Sequence, residues 1–144
     1  MQVGLETIIQ WGDCDEQGIV FYPRYFYWMD CAFHGLLRNS GFNPRKLRSQ
    51  FGMLGTPLVK AMATFAAPAS YDQRLTVEAD VARWGISSFE VAYQGLSDGV
   101  KIFEGNEIRV WLVPGRDKAQ GAPIPEEFRA AVAEASRHTA TLAR

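Results

Sequence analysis

Asp13 and Asp15 stand two residues apart in the stretch Trp11 to Tyr25, WGDCDEQGIVFYPRY, which also carries Gly18 and Pro23. Gly18 permits a tight turn. Pro23 suits the first turn of a helix, where its missing N–H costs nothing. The order predicts a carboxylate aimed at a helix N-terminus. Such a terminus offers unpaired N–H groups and about half a positive charge, so it can hold an ionised carboxylate and also stabilise an oxyanion nearby. This is the arrangement of a hydrolytic site. Of the two acids, Asp15 is the candidate for chemistry, with helix capping as its ordinary alternative. Asp13 is expected to hold the loop through side-chain to backbone hydrogen bonds.

The remaining reactive residues add little to that loop. Asp30 lies among Tyr27, Trp28, Met29, Cys31 and Phe33 on an apolar segment, so its carboxylate needs either a partner, Arg24 or Arg109, or a role in a pocket. His34 follows Asp30 by four residues on the same helical face, which predicts a hydrogen bond between them. With His138 it completes the histidines, too few ligands for a zinc site or a Ser-His-Asp triad. Cys14 has no histidine placed to activate it. Cys31 is expected as a small buried apolar residue. The run from Asp13 to Gly18 resembles half a calcium loop, but its twelfth position is Arg24 and a strand precedes it. An aspartyl-phosphate phosphatase reading would make Asp13 the nucleophile and require Mg²⁺, and it needs alternating strands and helices that this chain lacks. No metal and no cofactor are expected.

The elements that must position the loop follow from periodicity. Val3, Leu5, Thr7 and Ile9 alternate with polar residues, predicting a strand over Met1 to Gln10. Arg24 to Ser40 predicts a helix apolar on nearly every side, and therefore buried all round, ended by Ser40-Gly41. Phe42 to Gly55 reads as a connecting segment with at most one short helical turn. Period-2 stretches follow at Leu58 to Ala67, Leu75 to Trp84, Ser88 to Leu96 and Val100 to Val113. Asp98-Gly99 is the turn before the last of them, and Gly105 marks a bulge within it. After a polar loop from Arg116 to Pro123, Pro125 opens a C-terminal helix. Glu126 and Glu127 lie in its first turn, Arg137 near its end, and Phe128, Ala131, Val132 and Ala135 form its apolar stripe. The result is an α+β domain with an antiparallel sheet of about five strands curled around a long central helix, plus a C-terminal helix. One sheet face cannot cover a helix that is apolar all round, so a homo-oligomer is expected.

At 144 residues a single domain over residues 1–144 is expected. A net charge of -1 with scattered Lys and Arg excludes a basic face for nucleic acid. No signal-peptide pattern and no apolar run of membrane-spanning length occur, so no membrane partner is expected. The two cysteines are read as thiols in a reducing cytoplasm.

Element order and loop together resemble the hotdog-fold acyl-CoA thioesterases, and within them the 4-hydroxybenzoyl-CoA thioesterase group. The match rests on Gly12-Asp13-Cys14-Asp15, Gly18 to Pro23 and Tyr25, with Gly55-Thr56-Pro57, Ala69-Ser70-Tyr71-Asp72 and Glu107-Ile108-Arg109-Val110 further along. The resemblance implies an acyl-CoA substrate, aromatic or short, hydrolysed to free acid and CoA. Asp15 would be nucleophile or general base, and the Tyr22 backbone N–H would polarise the thioester carbonyl. Little leaving-group help is needed, since a thiol pKa near ~8.5 lets the thiolate depart at neutral pH. The resemblance also implies an acyl pocket between two subunits, with Asp30 receiving the aryl end and Gly18, Thr56 and Arg109 as substrate-binding residues. It implies a dimer of dimers.

The chain departs from that group in two places. Gly85-Ile86 follows Trp84 where a basic pair would meet the CoA phosphates, which shifts that role to Arg83, Arg109 or Arg116. Arg45 stands where a tryptophan would contact the hydroxyl of a 4-hydroxybenzoyl group. The alternative from another class is a non-catalytic acyl-CoA or acyl-carrier-binding hotdog module, which would bind the thioester without releasing thiol.

Overall fold

Alternating side chains build five strands that pair only with antiparallel neighbours: β1 (Gln2–Ile8), β2 (Leu58–Phe65), β3 (Arg74–Trp84), β4 (Ser88–Ser97) and β5 (Val100–Val110). Their spatial order is β1-β3-β4-β5-β2, which puts β1 and β2 at the edges. The computed structural model describes residues 1–142, and side-chain surroundings for residues 1–138. No helix among the described residues is long and apolar enough to cross a membrane.

Across one face of this sheet lies α1 (Pro23–Asn39), which buries Tyr25, Trp28, Met29, Ala32, Phe33, Leu36 and Leu37. Leu75, Val77, Ala79, Phe89, Val91, Tyr93 and Phe103 meet it from the strands. Two glycines set how closely helix and sheet approach. A Cβ on Gly35 would overlap the Gly4 carbonyl, and one on Gly4 would overlap the Ala32 carbonyl, so α1 crosses β1 backbone against backbone. The helix is not buried all round as expected. Tyr27 is exposed, and Asp30, Cys31 and His34 are only half-buried, so one stripe of α1 faces outward.

The α3 helix (Glu126–Leu142) follows Pro125, and its Phe128 and Val132 are buried as their spacing predicts. Arg137 lies before the last turn and pairs with Glu134. The Phe128 ring lies 5.0 Å from Trp111 and 5.6 Å from Phe42, closing an aromatic cluster at one end of the sheet.

Four expectations are corrected. Phe42 to Gly55 contains a full helix, α2 (Pro44–Phe51): the Asn43 side chain accepts from the Lys46 N–H, Pro44 opens the first turn, and Gly52 closes it with φ 64. The expected strand to Val113 breaks after Val110, because the Trp111 N–H turns to the Ser87 carbonyl and the Leu112 N–H to Gly55. Leu112–Val113 then form β6, pairing with β7 (Gln120–Gly121) inside the expected polar loop. Gly105 is no bulge. Its register with Tyr93 and Ala63 is regular, and it is small because a Cβ there would lie 2.8 Å from the Met62 carbonyl oxygen and 2.9 Å from the Met29 side chain of α1. In β1 a register shift between Val3 and Leu5 turns Val3 outward and Gln2 inward. The buried Gln2 amide is satisfied by Ser136 Oγ at 3.0 Å and Asn39 Nδ2 at 2.9 Å.

Candidate active site

Residues 14–20 form a tight bend between β1 and α1. Cys14 and Val20 pair across it, the Asp15 N–H donates to the Ile19 carbonyl at 3.1 Å, and the Gly18 N–H returns to the Asp15 carbonyl at 2.9 Å. Gly18 has φ 78, a conformation that costs glycine no steric penalty. Asp15 sits at the corner, with Oδ1 accepting from the Gln17 N–H at 2.9 Å and the carboxylate exposed in the single chain. It does not cap α1, whose N-cap is Tyr22.

Asp13 is buried and holds the bend as expected. Its Oδ2 accepts from the Gln10 N–H at 2.8 Å, its carbonyl accepts from the Phe21 N–H, and Oδ1 lies 2.8 Å from Arg24 Nε, an ion contact rather than a directed hydrogen bond. The far side of the bend is tied to the segment before β3. Val20 N–H donates to the Ala69 carbonyl at 2.9 Å, and Ser70 Oγ donates to the Gly18 carbonyl at 2.5 Å.

At the start of α1 the Arg24 N–H donates to Phe21 and the Tyr25 N–H to Tyr22, and Pro23 has no N–H. Tyr22 has helical φ and ψ of -54° and -31°, and its N–H meets no acceptor among the described residues. The helix therefore presents one free peptide donor at the positive end of its dipole. Tyr22 lines a cavity of 350 Å³ with Ile19, Tyr25, Phe65 and Ala66 to Ala69, at the C-terminal end of β2. Burial, with the Cys14 thiol nearby, pushes the Tyr25 hydroxyl up to about 12.

Halfway along α1, Asp30 Oδ1 meets Arg109 Nη2 at 2.9 Å, so of the two partners expected it takes Arg109. Asp30 is half-exposed rather than enclosed. Arg109 is buried and engaged on every side: Nε donates to Glu107 at 2.9 Å, Nη1 donates to the Thr56 carbonyl at 3.0 Å, and the guanidinium lies 3.9 Å from the Phe33 ring centre. Tyr93 Oη donates to the same Glu107 oxygen at 2.6 Å. Burial works against the Arg109 charge, but Glu107 and its other partners outweigh it and raise the guanidinium pKa. Burial and the Glu107 carboxylate together keep the Tyr93 phenol protonated well beyond its usual range.

This corrects one expectation, since a guanidinium consumed inside the fold is not available to CoA phosphates. Arg109 instead forms, with Thr56, His34, Leu37, Leu47 and Leu112, part of the wall of a second cavity of 400 Å³ at the N-terminal end of β2. Arg83 and Arg116 are exposed, and Arg45 lies on α2 beside Arg48. The His34 hydrogen bond is also redirected. Nδ1 meets the Asp30 backbone carbonyl at 2.9 Å, while the carboxylate is 3.6 Å away. Cys31 is half-buried rather than enclosed.

The structure thus groups Asp15, Gly18 and Tyr22 around one bend, and Asp30, Thr56 and Arg109 around the middle of α1. The two groups do not meet within one chain. The sequence reading missed the buried Glu107 and Tyr93. The signal available was Glu107 two residues before Arg109, both on the inward face of a strand otherwise lined by Phe103 and Gly105.

The sequence signature of the thioesterase-like superfamily matches residues 9–132. The chain is 31% identical over 133 residues to 4-hydroxybenzoyl-CoA thioesterase of Pseudomonas sp. strain CBS-3, covering 88% of this chain and 94% of that one. The solved structure of that enzyme superposes with a TM-score of 0.81 at 30% identity, covering 88% of this chain and 96% of that chain. A mutant of it with aspartate replaced by asparagine, complexed with 4-hydroxybenzoyl-CoA, matches with a TM-score of 0.81 at 29% identity, covering 89% and 96%. A gentisyl-coenzyme A thioesterase matches with a TM-score of 0.76 at 32% identity, covering 90% and 98%. These likenesses establish that the chain belongs to the thioesterase-like superfamily, a thioester hydrolase of hotdog fold.

Proposed function

We propose that this enzyme hydrolyses an acyl-CoA thioester whose acyl group is aromatic or short, with Asp15 as nucleophile or general base and the Tyr22 N–H as oxyanion donor. The observation that carries the reading is the Tyr22 amide, unpaired at the head of α1 and separated from Asp15 only by the bend of residues 15–22. Charge developing on the thioester oxygen is stabilised there by a fixed donor that needs no reorganisation. Asp15 either attacks the carbonyl carbon, expelling CoA thiolate and leaving an anhydride that water opens, or takes a proton from water that attacks in its place. Both routes end in free acid and CoA. That a relative carrying asparagine for an aspartate is known in complex with 4-hydroxybenzoyl-CoA supports a carboxylate requirement.

The acyl group is received by a second copy of the chain. Along α1, twelve residues separate Tyr22 from His34, about 18 Å at 1.5 Å per residue, which is far longer than an aroyl group. The two cavities lie at opposite ends of the edge strand β2. Antiparallel pairing of two such strands about a two-fold axis sets the Tyr22 cavity of one chain against the His34 cavity of the other.

Thiol release from a panel of aryl- and alkyl-CoA thioesters tests the proposal. Asp15→Asn is expected to lower turnover roughly a thousandfold while still binding acyl-CoA. Equal turnover in the variant would remove Asp15 from the mechanism. Binding without thiol release by the unaltered protein would make it an acyl-binding module instead.

A further inference from the structure

His34 is held in one orientation by its own helix. Its Nδ1 lies 2.9 Å from the Asp30 carbonyl, which can only accept, so Nδ1 carries the proton and the neutral ring is left with a bare acceptor at Nε2. The ring also stands edge-on to Phe33, with centroids 5.7 Å apart. That carbonyl is held in place by the backbone of α1 itself, while Arg109 separately holds the Asp30 carboxylate at 2.9 Å. His34 lines the 400 Å³ cavity, whose other walls are mainly apolar, among them Leu37, Leu47, Met53 and Leu112. The polar groups around it are already used: Arg109 is engaged by Glu107, Asp30 and the Thr56 carbonyl, and the Gly55 carbonyl accepts from Leu112. Among the side chains lining the cavity, the His34 acceptor and the Thr56 hydroxyl remain to meet a ligand, with the half-exposed Asp30 carboxylate 3.6 Å from His34 beside them.

We infer that His34 determines acyl specificity, accepting a hydrogen bond from a hydroxyl at the far end of the acyl group and so favouring hydroxyaryl thioesters over rings of equal size without a donor. This rests on the hydrolase reading above, in which the cavity receives the acyl group and a second copy supplies Asp15 and Tyr22. An apolar pocket by itself separates such rings poorly. His34 is half-exposed in the single chain and would be enclosed by the second copy; an acceptor enclosed there without its donor separates such rings strongly, because it has lost water and gained nothing.

The test compares 4-hydroxybenzoyl-CoA with 4-fluorobenzoyl-CoA, in which fluorine fills the same place without donating. The unaltered enzyme is expected to favour the hydroxyl compound in kcat/KM by tenfold or more. In His34→Leu that ratio falls to near one, and in His34→Gln, which restores an acceptor, it recovers in part. An unchanged ratio in His34→Leu overturns the inference, and so does an equal loss on both substrates. A second measurement needs no turnover and no variant at the site. In protein labelled with ¹⁵N at its histidines, phenol should move the Nε2 resonance of His34 and fluorobenzene should not, with His138→Gln assigning the two signals. No response to phenol sinks the inference even if thioesters are hydrolysed. A phenol response in a protein that hydrolyses none of them sinks the hydrolase reading and leaves the His34 site standing.

Discussion

Arg109 connects residues that are remote in the chain: Asp30 on α1, Thr56 before β2, and Glu107 beside it on β5. A buried guanidinium is tolerated only when its donors are paired, and here carboxylates on two sides meet that demand while Phe33 covers the face. The network fixes the Asp30 carboxylate beside His34 and ties α1 to β5, so its role is to position. Tyr25 poses a different problem, being buried against Phe65 and Phe103 beside the Tyr22 cavity. Its hydroxyl is raised from 10.0 to about 12, so above pH 10 the unfolded chain gives up a proton that the folded chain keeps. The folded state then binds more protons, and its stability, complete below pH 10, declines as pH rises toward 12. A shift of this size amounts to about 3 kcal/mol at the alkaline end. Tyr25→Phe should flatten that part of the alkaline unfolding curve, followed by denaturant titration at several pH values. An unaltered slope would mean that the Tyr25 hydroxyl is not held neutral by its surroundings.

At the scale of elements, the closest packing in the molecule is where α1 crosses β1. Gly35→Ala puts a methyl group into the Gly4 carbonyl, and neither backbone can retreat without lifting the helix from the sheet. The substitution would gain about 1 kcal/mol from helix propensity alone, yet it should lower stability by roughly 3 kcal/mol. A urea midpoint equal to or above that of the unaltered chain would show that the helix can shift at no cost. Such contacts explain how far the fold could be read in advance. The helix over Pro23–Asn39 and the strands β3 and β4 were legible, because each is set by periodicity and end signals carried within itself. In the sequence Gly105 reads as a bulge, because what excludes a side chain there, the Met62 carbonyl and Met29, is distant in sequence and nothing local announces it. Val3 was assigned to the wrong face because one residue of register shift reverses everything before it. The helix α2 was overlooked although Asn43, Pro44 and Gly52 mark its ends, since its exposed residues lack a strong apolar stripe. In the site, Asp15 is singled out by residue type and order, and Tyr22 only by the family resemblance. Glu107 and the cavity position of His34 depend on strand pairing and helix packing, which no short stretch encodes.

At the scale of the whole molecule, the edge strand β2 stands open. β2 carries Val59 at 67% exposure, Leu58 at 48%, Met62 at 47% and Phe65 at 49%, on a strand with no neighbour on its outer side. Apolar side chains beside unpaired backbone groups form a surface that joins another strand or aggregates. Pairing with the same strand of a second copy satisfies both needs. In the proposed dimer it would also cover the exposed stripe of α1 and close each bend onto the other chain's cavity. Because Val59 and Met62 are exposed in the single chain, replacing both with lysine should cost the fold little. The same change puts like charges face to face across the two-fold axis. The double variant is expected to sediment at the mass of one chain with an unchanged circular dichroism spectrum, and to lose at least a hundredfold in kcat/KM although Asp15 and Tyr22 are untouched. Raising the protein concentration should recover activity in step with mass, since association and the complete site are then one equilibrium. A single-chain species that hydrolyses acyl-CoA at the unaltered rate would show that one chain holds all the groups the reaction needs, and the 18 Å gap along α1 would have to be bridged within it.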